Sequence, residues 1–261
     1  MLEPSQIDAI AAELAHADQT RVPIPRITAR YPEATVEDSY AIQGVWRDQQ
    51  IAAGRRLVGR KIGLTSKAMQ AATGITEPDY GVMFDDTVYE NGAVIEFDRF
   101  LNVRIEVELA FVLKDALEGP HCTIFDVLRA TEYVTPALEI LNSHIELEGR
   151  TIVDTISDNA AYGAMVIGGR PMRPHDLDLR WVSALLYRNE SIEETGVSAG
   201  VLNHPATGVA WLANKFAQHG ARLEAGEIIL AGSFTRPMWV SRGDSVVCDY
   251  GQMGTISCRF V

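Results

Sequence analysis

The sequence predicts an α+β protein with a strand-rich core and a small helical subdomain at its N-terminus. Two helical patterns occupy the first 56 residues. From Leu57 onwards, short apolar or alternating segments are separated by turns that contain Gly and Asn. Many short strands combined with few helices are typical of α+β folds. We therefore expect a helical subdomain over residues 1–56 and a larger strand-rich domain over residues 57–261.

Composition and charge narrow the class of protein. The chain of 261 residues is 47% hydrophobic and 22% charged, and its formal net charge is -12. This charge argues against nucleic acid and anionic membranes as partners, because both attract basic surfaces. The three cysteines, Cys122, Cys248 and Cys258, are predicted to be reduced thiols. Since the first residues lack the pattern of a signal peptide, we expect a cytoplasmic protein.

The N-terminal subdomain is predicted from two helix starts. Ser5 begins a capping-box spacing, and helical periodicity continues to about His16. Thr35 begins a second capping signal, and the helix that it opens should end near Gly54. The intervening residues 21–31 contain two prolines and are predicted to be extended.

The remaining residues are predicted to form mainly strands. The segment 57–63 is a strand whose glycines indicate close backbone packing. Asn189 and Glu190 mark the turn of a hairpin. Further strands are predicted at 82–84, 88–89, 93–97, 104–112, 135–141, 180–188, 192–194, 228–230, 246–250 and 255–260. Helices are predicted at 66–72, at 124–130 behind the capping residue Thr123, and at 206–218.

The strand at 104–112 carries the first candidate site. Charged and apolar residues alternate, so Arg104, Glu106 and Glu108 share one face of the strand. Two carboxylates roughly 7 Å apart on one face repel each other unless a positive charge lies between them. Oxygen ligands favour a hard divalent ion such as Mg²⁺ or Mn²⁺. The alternative is an ordinary strand with a solvated acidic face.

Two further residues add to this hypothesis. Glu139 is the one acid in the apolar segment 135–141, where an unpaired carboxylate is costly to bury. It is either a third metal ligand or half of a salt bridge. Lys61 lies between apolar residues, and desolvation lowers the pKa of a lysine enough for acid–base catalysis. Its alternative is a surface lysine whose ammonium group reaches the solvent.

Longer motifs resemble the hydratase/decarboxylase branch of the fumarylacetoacetate hydrolase superfamily. The resemblance extends over about residues 31–261. It rests on the motifs KIGLTSK (61–67), EPDYG (77–81), RIEVE (104–108), DTISDNA (154–160), NHPATGVAWLANK (203–215) and GSFTRP (232–237). It implies the family's mixed β-roll-like α+β fold for the catalytic domain and a homo-oligomer.

The resemblance also implies the site residues. Glu106, Glu108 and Glu139 would hold Mg²⁺ or Mn²⁺, and Lys61 and Asp79 would stand over the substrate as the catalytic acid and base.

The region around Gly232 and Ser233 would hold the α-keto acid end of that substrate. Arg236 and Arg104 are the candidates for binding its second carboxylate. Arg104, however, lies close enough in sequence to Glu106 that we expect the two to pair.

The implied activity is the metal-dependent addition of water to 2-oxo-hept-4-ene-1,7-dioate, which gives 4-hydroxy-2-oxo-heptane-1,7-dioate in the meta-cleavage catabolism of homoprotocatechuate. Hydration of 2-oxopent-4-enoate and decarboxylation of a 4-oxalocrotonate-type substrate are the alternatives within the branch. A C–C bond hydrolase is disfavoured because no histidine lies between Lys61 and Glu106. A non-catalytic partner subunit is disfavoured by the presence of Lys61 and Asp79 together with three carboxylates.

Overall fold

A computed structural model describes residues 1–67, 70 and 76–261. These residues contain six α-helices and thirteen β-strands. The helices are α1 (Pro4–Thr20), α2 (Ile27–Arg30), α3 (Val36–Ala52), α4 (Ile124–Ala130), α5 (Ile152–Ser157) and α6 (Pro205–Ala217). The strands are β1 (Leu57–Gly63), β2 (Asp79–Phe84), β3 (Val88–Glu90), β4 (Ala93–Ile95), β5 (Arg104–Leu113), β6 (Thr131–Leu141), β7 (Tyr162–Ile167), β8 (Ser183–Arg188), β9 (Ser191–Val197), β10 (Ile228–Leu230), β11 (Met238–Trp239), β12 (Ser245–Asp249) and β13 (Thr255–Phe260).

The described strands form two mixed sheets. The larger has the order β2-β1-β10-β5-β6-β7-β3, with β11 pairing to the first residues of β5, and the smaller has the order β4-β13-β12-β8-β9. Ile105, Val107 and Leu109 on one face of β5 are fully buried in a core that contains residues of both sheets and of α6. The predicted α+β fold with a strand-rich core is therefore confirmed, and the opposite face of β5 is left for the charged residues.

The N-terminal helices share a second core with the larger sheet. Apolar residues of α1 and α3 pack against Val82 and Phe84 of β2, and the rings of Trp46 and Phe84 meet edge to face at 5.9 Å. The Gln43 side chain of α3 donates hydrogen bonds to the carbonyls of Tyr80 and Ile156. The helices therefore hold β2 in place. A domain boundary at residue 56 stays a prediction.

Several local predictions are confirmed. The Thr35 and Thr123 side chains cap α3 and α4. Asn189 and Glu190, both with positive φ, connect β8 to β9, as a tight hairpin turn requires. Cys248 and Cys258 are buried free thiols, and Cys122 is a partly buried one. None of the helices in the described part of the chain combines the length and the apolar character needed to cross a bilayer.

Other local predictions are wrong. The N-cap residue of α1 is Glu3 rather than Ser5. The helix begins at Pro4, because proline suits the first helical position, and it continues to Thr20. Residues 21–31 are not wholly extended, since they include α2. The sequence did not predict α5 and β7, because a short apolar run does not distinguish a buried strand from a buried helix. The helix predicted at 66–72 falls largely outside the described residues.

A buried histidine links the N-terminal helix to the segment that follows β6. His144 Nδ1 lies 2.7 Å from Asp158 Oδ1, and His144 Nε2 lies 3.2 Å from Asp18 Oδ1 in α1. Burial lowers the pKa of His144, but the carboxylates of Asp158 and Asp18 outweigh that effect and raise the pKa to about 10. The imidazolium form of His144 therefore stabilises the folded state.

The stabilisation by His144 should depend on pH. Because the pKa of His144 is raised on folding, the stabilisation is complete below the unfolded pKa of about 6.5 and is lost as the pH rises through about 10. Between about pH 6 and pH 10, we expect the stability advantage of the wild type over His144→Gln to shrink by roughly 1–3 kcal/mol. Denaturant unfolding of both proteins over a pH series measures this difference in the free energy of unfolding. Parallel pH profiles for the two proteins would contradict the expectation.

Candidate active site

Three carboxylates of β5 and β6 converge on one point. Glu106 of β5 lies directly opposite Glu139 of β6, and Glu108 follows two residues later on the same face of β5. One carboxylate oxygen from each of the three lies within 4.8 Å of the others. Glu108 and Glu139 have no exposed surface, whereas Glu106 is partly exposed. The structure thus brings together the three acids that the sequence singled out.

Three of the four buried oxygens of Glu108 and Glu139 accept no hydrogen bond in the described residues. Glu108 Oε2 accepts a hydrogen bond of 2.8 Å from the amide of Gly232. Within the described residues, Glu108 Oε1 and both oxygens of Glu139 accept no hydrogen bond. Buried carboxylate oxygens without donors are costly. A set of donors made only of oxygens suits a hard divalent cation, so the residues present fit such an ion.

The electrostatics of the cluster lead to the same conclusion. Burial and the neighbouring charge of Glu139 raise the pKa of Glu106 to about 7. Burial, together with the negative charges of Glu139 and Glu106, raises the pKa of Glu108 well above its usual range. The three groups therefore repel one another when all are ionised, and a cation at their centre would remove that repulsion.

Lys61 lies against the carboxylates. Its Nζ is 3.2 Å from Glu139 Oε1, and both side chains are buried. Burial lowers the pKa of Lys61, as the sequence predicted, but attraction to Glu139, Asp79 and the other two acids of the cluster is larger. The net effect raises the pKa above its ordinary value. The expectation of a lysine with lowered pKa is therefore wrong for the protein without a cation. The expectation of a buried lysine is confirmed.

Asp79 completes the buried site from the neighbouring strand. It is the first residue of β2 and lies opposite Gly63 of β1. A Cβ at Gly63 would lie 2.1 Å from Asp79 Oδ1 and 3.3 Å from Lys61 Nζ. A glycine is therefore required there, as the predicted close packing in this strand indicated. Burial raises the pKa of Asp79, although the charges of Lys61 and Arg150 oppose the rise.

Gly232 has a structural role at the carboxylate cluster that the sequence did not predict. Its φ of 117° favours glycine, and a Cβ there would lie 2.1 Å from Thr65 Oγ1. This backbone conformation aims the Gly232 amide at Glu108. The resemblance placed the segment near the keto acid end of a substrate. The contact with a cluster carboxylate was missed because a backbone amide leaves no signal in a residue pattern.

A cavity of about 550 Å³ opens beside Glu106, and Ser233 and Arg236 line it. Ser233 Oγ donates a hydrogen bond of 3.0 Å to the carbonyl of Thr235. The Arg236 side chain is 81% exposed, and its Nη2 lies 2.9 Å from Glu194 Oε1. Ser233 and Arg236 thus both lie at the cavity, and Arg236 already has an acidic partner there.

Arg104 does not form the predicted pair with Glu106 in the described part of the chain. Its Nε donates to the carbonyl of Asn102 at 3.3 Å, and its Nη2 donates to Ser143 Oγ at 3.4 Å. The guanidinium also lies 5.3 Å from the ring centroid of Trp239. Arg104 is the first residue of β5, and its charge still acts on Glu106 and Glu139 although it forms no ion pair with either.

Comparison with known proteins identifies the family. The sequence profile of the family described as "Fumarylacetoacetate (FAA) hydrolase C-terminal" matches residues 54–261. Over 258 residues the chain is 58% identical to 2-oxo-hept-4-ene-1,7-dioate hydratase of Escherichia coli, with 97% of each protein covered. It is 38% identical over 259 residues to 2-keto-4-pentenoate hydratase of Paraburkholderia xenovorans, with 99% of this chain and 96% of that relative covered.

A solved structure agrees over the whole chain. The 4-oxalocrotonate decarboxylase from Pseudomonas putida, complexed with magnesium and adipate, matches with a TM-score of 0.97 and 33% identity. The match covers 100% of this chain and 99% of that one. The predicted superfamily and fold are therefore confirmed. The chain belongs to the fumarylacetoacetate hydrolase family, in the branch that contains hydratases and decarboxylases.

Proposed function

We propose that the protein is a hydratase that adds water to 2-oxo-hept-4-ene-1,7-dioate and gives 4-hydroxy-2-oxo-heptane-1,7-dioate, in the meta-cleavage catabolism of homoprotocatechuate. The observation that carries the proposal is the largely buried cluster of Glu106, Glu108 and Glu139 with Lys61 and Asp79 beside it. The 58% identity to a hydratase of this substrate supports the choice of reaction. We place the enzyme in the cytoplasm as a homo-oligomer.

Glu106, Glu108 and Glu139 are the residues that would hold the cofactor, Mg²⁺ or Mn²⁺. When bound, the ion acts as a Lewis acid toward a 2-oxo acid and stabilises negative charge that develops on its C2 oxygen. The protein fixes the ligand positions through the register of β5 and β6 and through the Gly232 amide, which orients Glu108.

The chain's own acid–base groups would move the protons. The double bond must first come into conjugation with the ketone, so a proton leaves C3 and another is added at C5. Water then adds at C4, and C3 regains a proton. Lys61 and Asp79 lie together at the cluster and divide these tasks, which are proton transfer along the carbon chain and activation of water.

Local charge would bring the anionic substrate to a protein of net charge -12. Lys61, Arg104 and the cation supply positive charge at the site, and Ser233 and Arg236 lie on the wall of the adjoining cavity. A positive site within an acidic protein attracts anions locally.

Decarboxylation is the second candidate function, because a 4-oxalocrotonate decarboxylase has nearly the same fold along its whole length. Incubation of the Mg²⁺-loaded enzyme with 2-oxo-hept-4-ene-1,7-dioate, and separately with 2-oxopent-4-enoate and 4-oxalocrotonate, separates the reactions by product mass. A hydrated dioate supports the proposal. Loss of carbon dioxide from 4-oxalocrotonate, with no hydrated dioate, would overturn the proposal and assign the decarboxylase reaction instead.

The carboxylate cluster gives one prediction. Glu106→Gln, Glu108→Gln and Glu139→Gln should each remove most activity and weaken Mg²⁺ binding by at least about tenfold, because each removes an anionic oxygen ligand. Calorimetric titration with Mg²⁺ measures the affinity. Glu132→Gln, at an exposed position of the same strand β6, is the matched control and should bind normally. Native affinity in all three cluster variants would place the metal elsewhere.

Lys61 gives another prediction. Lys61→Ala should lower kcat by about 10²–10⁴-fold, the usual loss for a missing acid–base group, while Mg²⁺ binding changes far less. Steady-state kinetics and metal titration of the same preparation measure both quantities. Lys114→Ala alters an exposed lysine just after β5 and serves as the control. Turnover near that of the wild type would mean that Lys61 has only a structural role.

A further inference from the structure

Two arginines meet at one buried hydroxyl group near the carboxylate cluster. Arg104 Nη2 donates to Ser143 Oγ at 3.4 Å, and Arg150 Nη1 donates to the same oxygen atom. Ser143 is fully buried, and both arginines are partly buried. The sequence had named Arg104 as a candidate anion binder, but nothing in the residue pattern placed Arg150 beside it.

Neither guanidinium group of this pair has a carboxylate within ion-pair distance in the described residues. Neither Arg104 nor Arg150 forms an ion pair with a carboxylate anywhere in residues 1–67, 70 and 76–261. Two like charges held together away from bulk water repel each other. An anion between them would relieve the repulsion, and guanidinium groups suit a carboxylate because each can donate two parallel hydrogen bonds.

The pair lies on the face of the larger sheet that carries the carboxylate cluster. Arg104 precedes Glu106 by two residues on the same face of β5, a separation of about 7 Å along a strand. Ser143 follows the end of β6, whose Leu141 is opposite Arg104. Arg150 is also close enough to Asp79 for its charge to act on that carboxylate. The pair therefore lies a short distance from the carboxylate cluster, at the end of β5 that begins with Arg104.

We propose that Arg104 and Arg150 together bind the second carboxylate of a dicarboxylic 2-oxo acid whose first carboxylate and keto oxygen lie at the Glu106, Glu108 and Glu139 cluster. The inference rests on the proposed function and deepens it, because it names the residues that select a dioate over a monocarboxylate. Ser143 holds the two guanidinium groups side by side by accepting a hydrogen bond from each.

Arg236, the candidate from the sequence, is the rival for this role. Its side chain is 81% exposed, and it already pairs with Glu194. An exposed and paired arginine gains less from a substrate carboxylate than two partly buried arginines that form no ion pair.

The kinetic test compares a seven-carbon dioate with five-carbon 2-oxopent-4-enoate. Arg150→Leu and Arg104→Leu should each lower kcat/KM for the dioate about 30-fold or more, with a loss on the monocarboxylate at least tenfold smaller. Arg150→Lys keeps the positive charge but loses the paired N–H donors of the guanidinium group, so its loss of kcat/KM on the dioate should be intermediate. Arg173→Leu, at an exposed arginine outside the site, should leave both substrates unchanged. Thermal melts check that each variant is folded.

A binding experiment separates failure of this inference from failure of the proposed function. Calorimetry of the Mg²⁺-loaded protein compares heptanedioate, an unreactive dicarboxylate, with hexanoate. The wild type should prefer heptanedioate, and Arg150→Leu should lose that preference. If the wild type hydrates no dioate but shows this Arg150-dependent preference, the proposed function fails and the arginine site stands.

Two results would overturn the inference. One is an equal loss on both substrates in Arg104→Leu and Arg150→Leu, together with an unchanged preference for heptanedioate. The other is a selective loss on the dioate in Arg236→Leu while the two pair variants behave as the wild type, which would assign the second carboxylate to Arg236 instead.

Discussion

The convergence of three carboxylates, two of them fully buried, is the constraint on which the rest of this molecule depends. Glu106 and Glu139 are paired in register across two central antiparallel strands, and Glu108 is two residues further on. In the described residues, Lys61 forms an ion pair with Glu139. One lysine does not neutralise the negative charge of three carboxylates. The surroundings are arranged to tolerate this charge, with the Gly232 amide donating to Glu108.

The scaffold around the cluster explains why the N-terminal helices matter to the site. Asp79 is the first residue of β2, so the position of its carboxylate depends on how firmly this edge strand is held. Asn159 exchanges two side-chain hydrogen bonds with the backbone of Val82, and Gln43 of α3 bonds to the carbonyl of Tyr80. Strand β2 is thus fixed on one side by β1 and on the other by side chains from distant segments.

One fold with different chemistry is the pattern within this branch of the family. The relatives include hydratases and a decarboxylase, and the decarboxylase matches the whole chain in structure at 33% identity. A site that activates a 2-oxo acid serves either reaction, because both stabilise negative charge next to the keto group. We propose that groups beyond the cluster, such as the Arg104 and Arg150 pair and the wall of the adjoining cavity, set the reaction and substrate of this chain.

Local patterns in the sequence predicted most strands, the faces of β5, the caps of α3 and α4, and the three acids, because alternation and capping are properties of neighbouring residues. The motifs supplied the family. Local patterns did not predict contacts between segments that are distant in the sequence. The Gly232 amide against Glu108, the pairing of Arg104 with Ser143 rather than Glu106, and the meeting of Arg104 with Arg150 all join residues more than 35 positions apart. The raised pKa of Lys61 likewise follows from how many carboxylates surround it, and only the packing of β1, β2, β5 and β6 fixes that number.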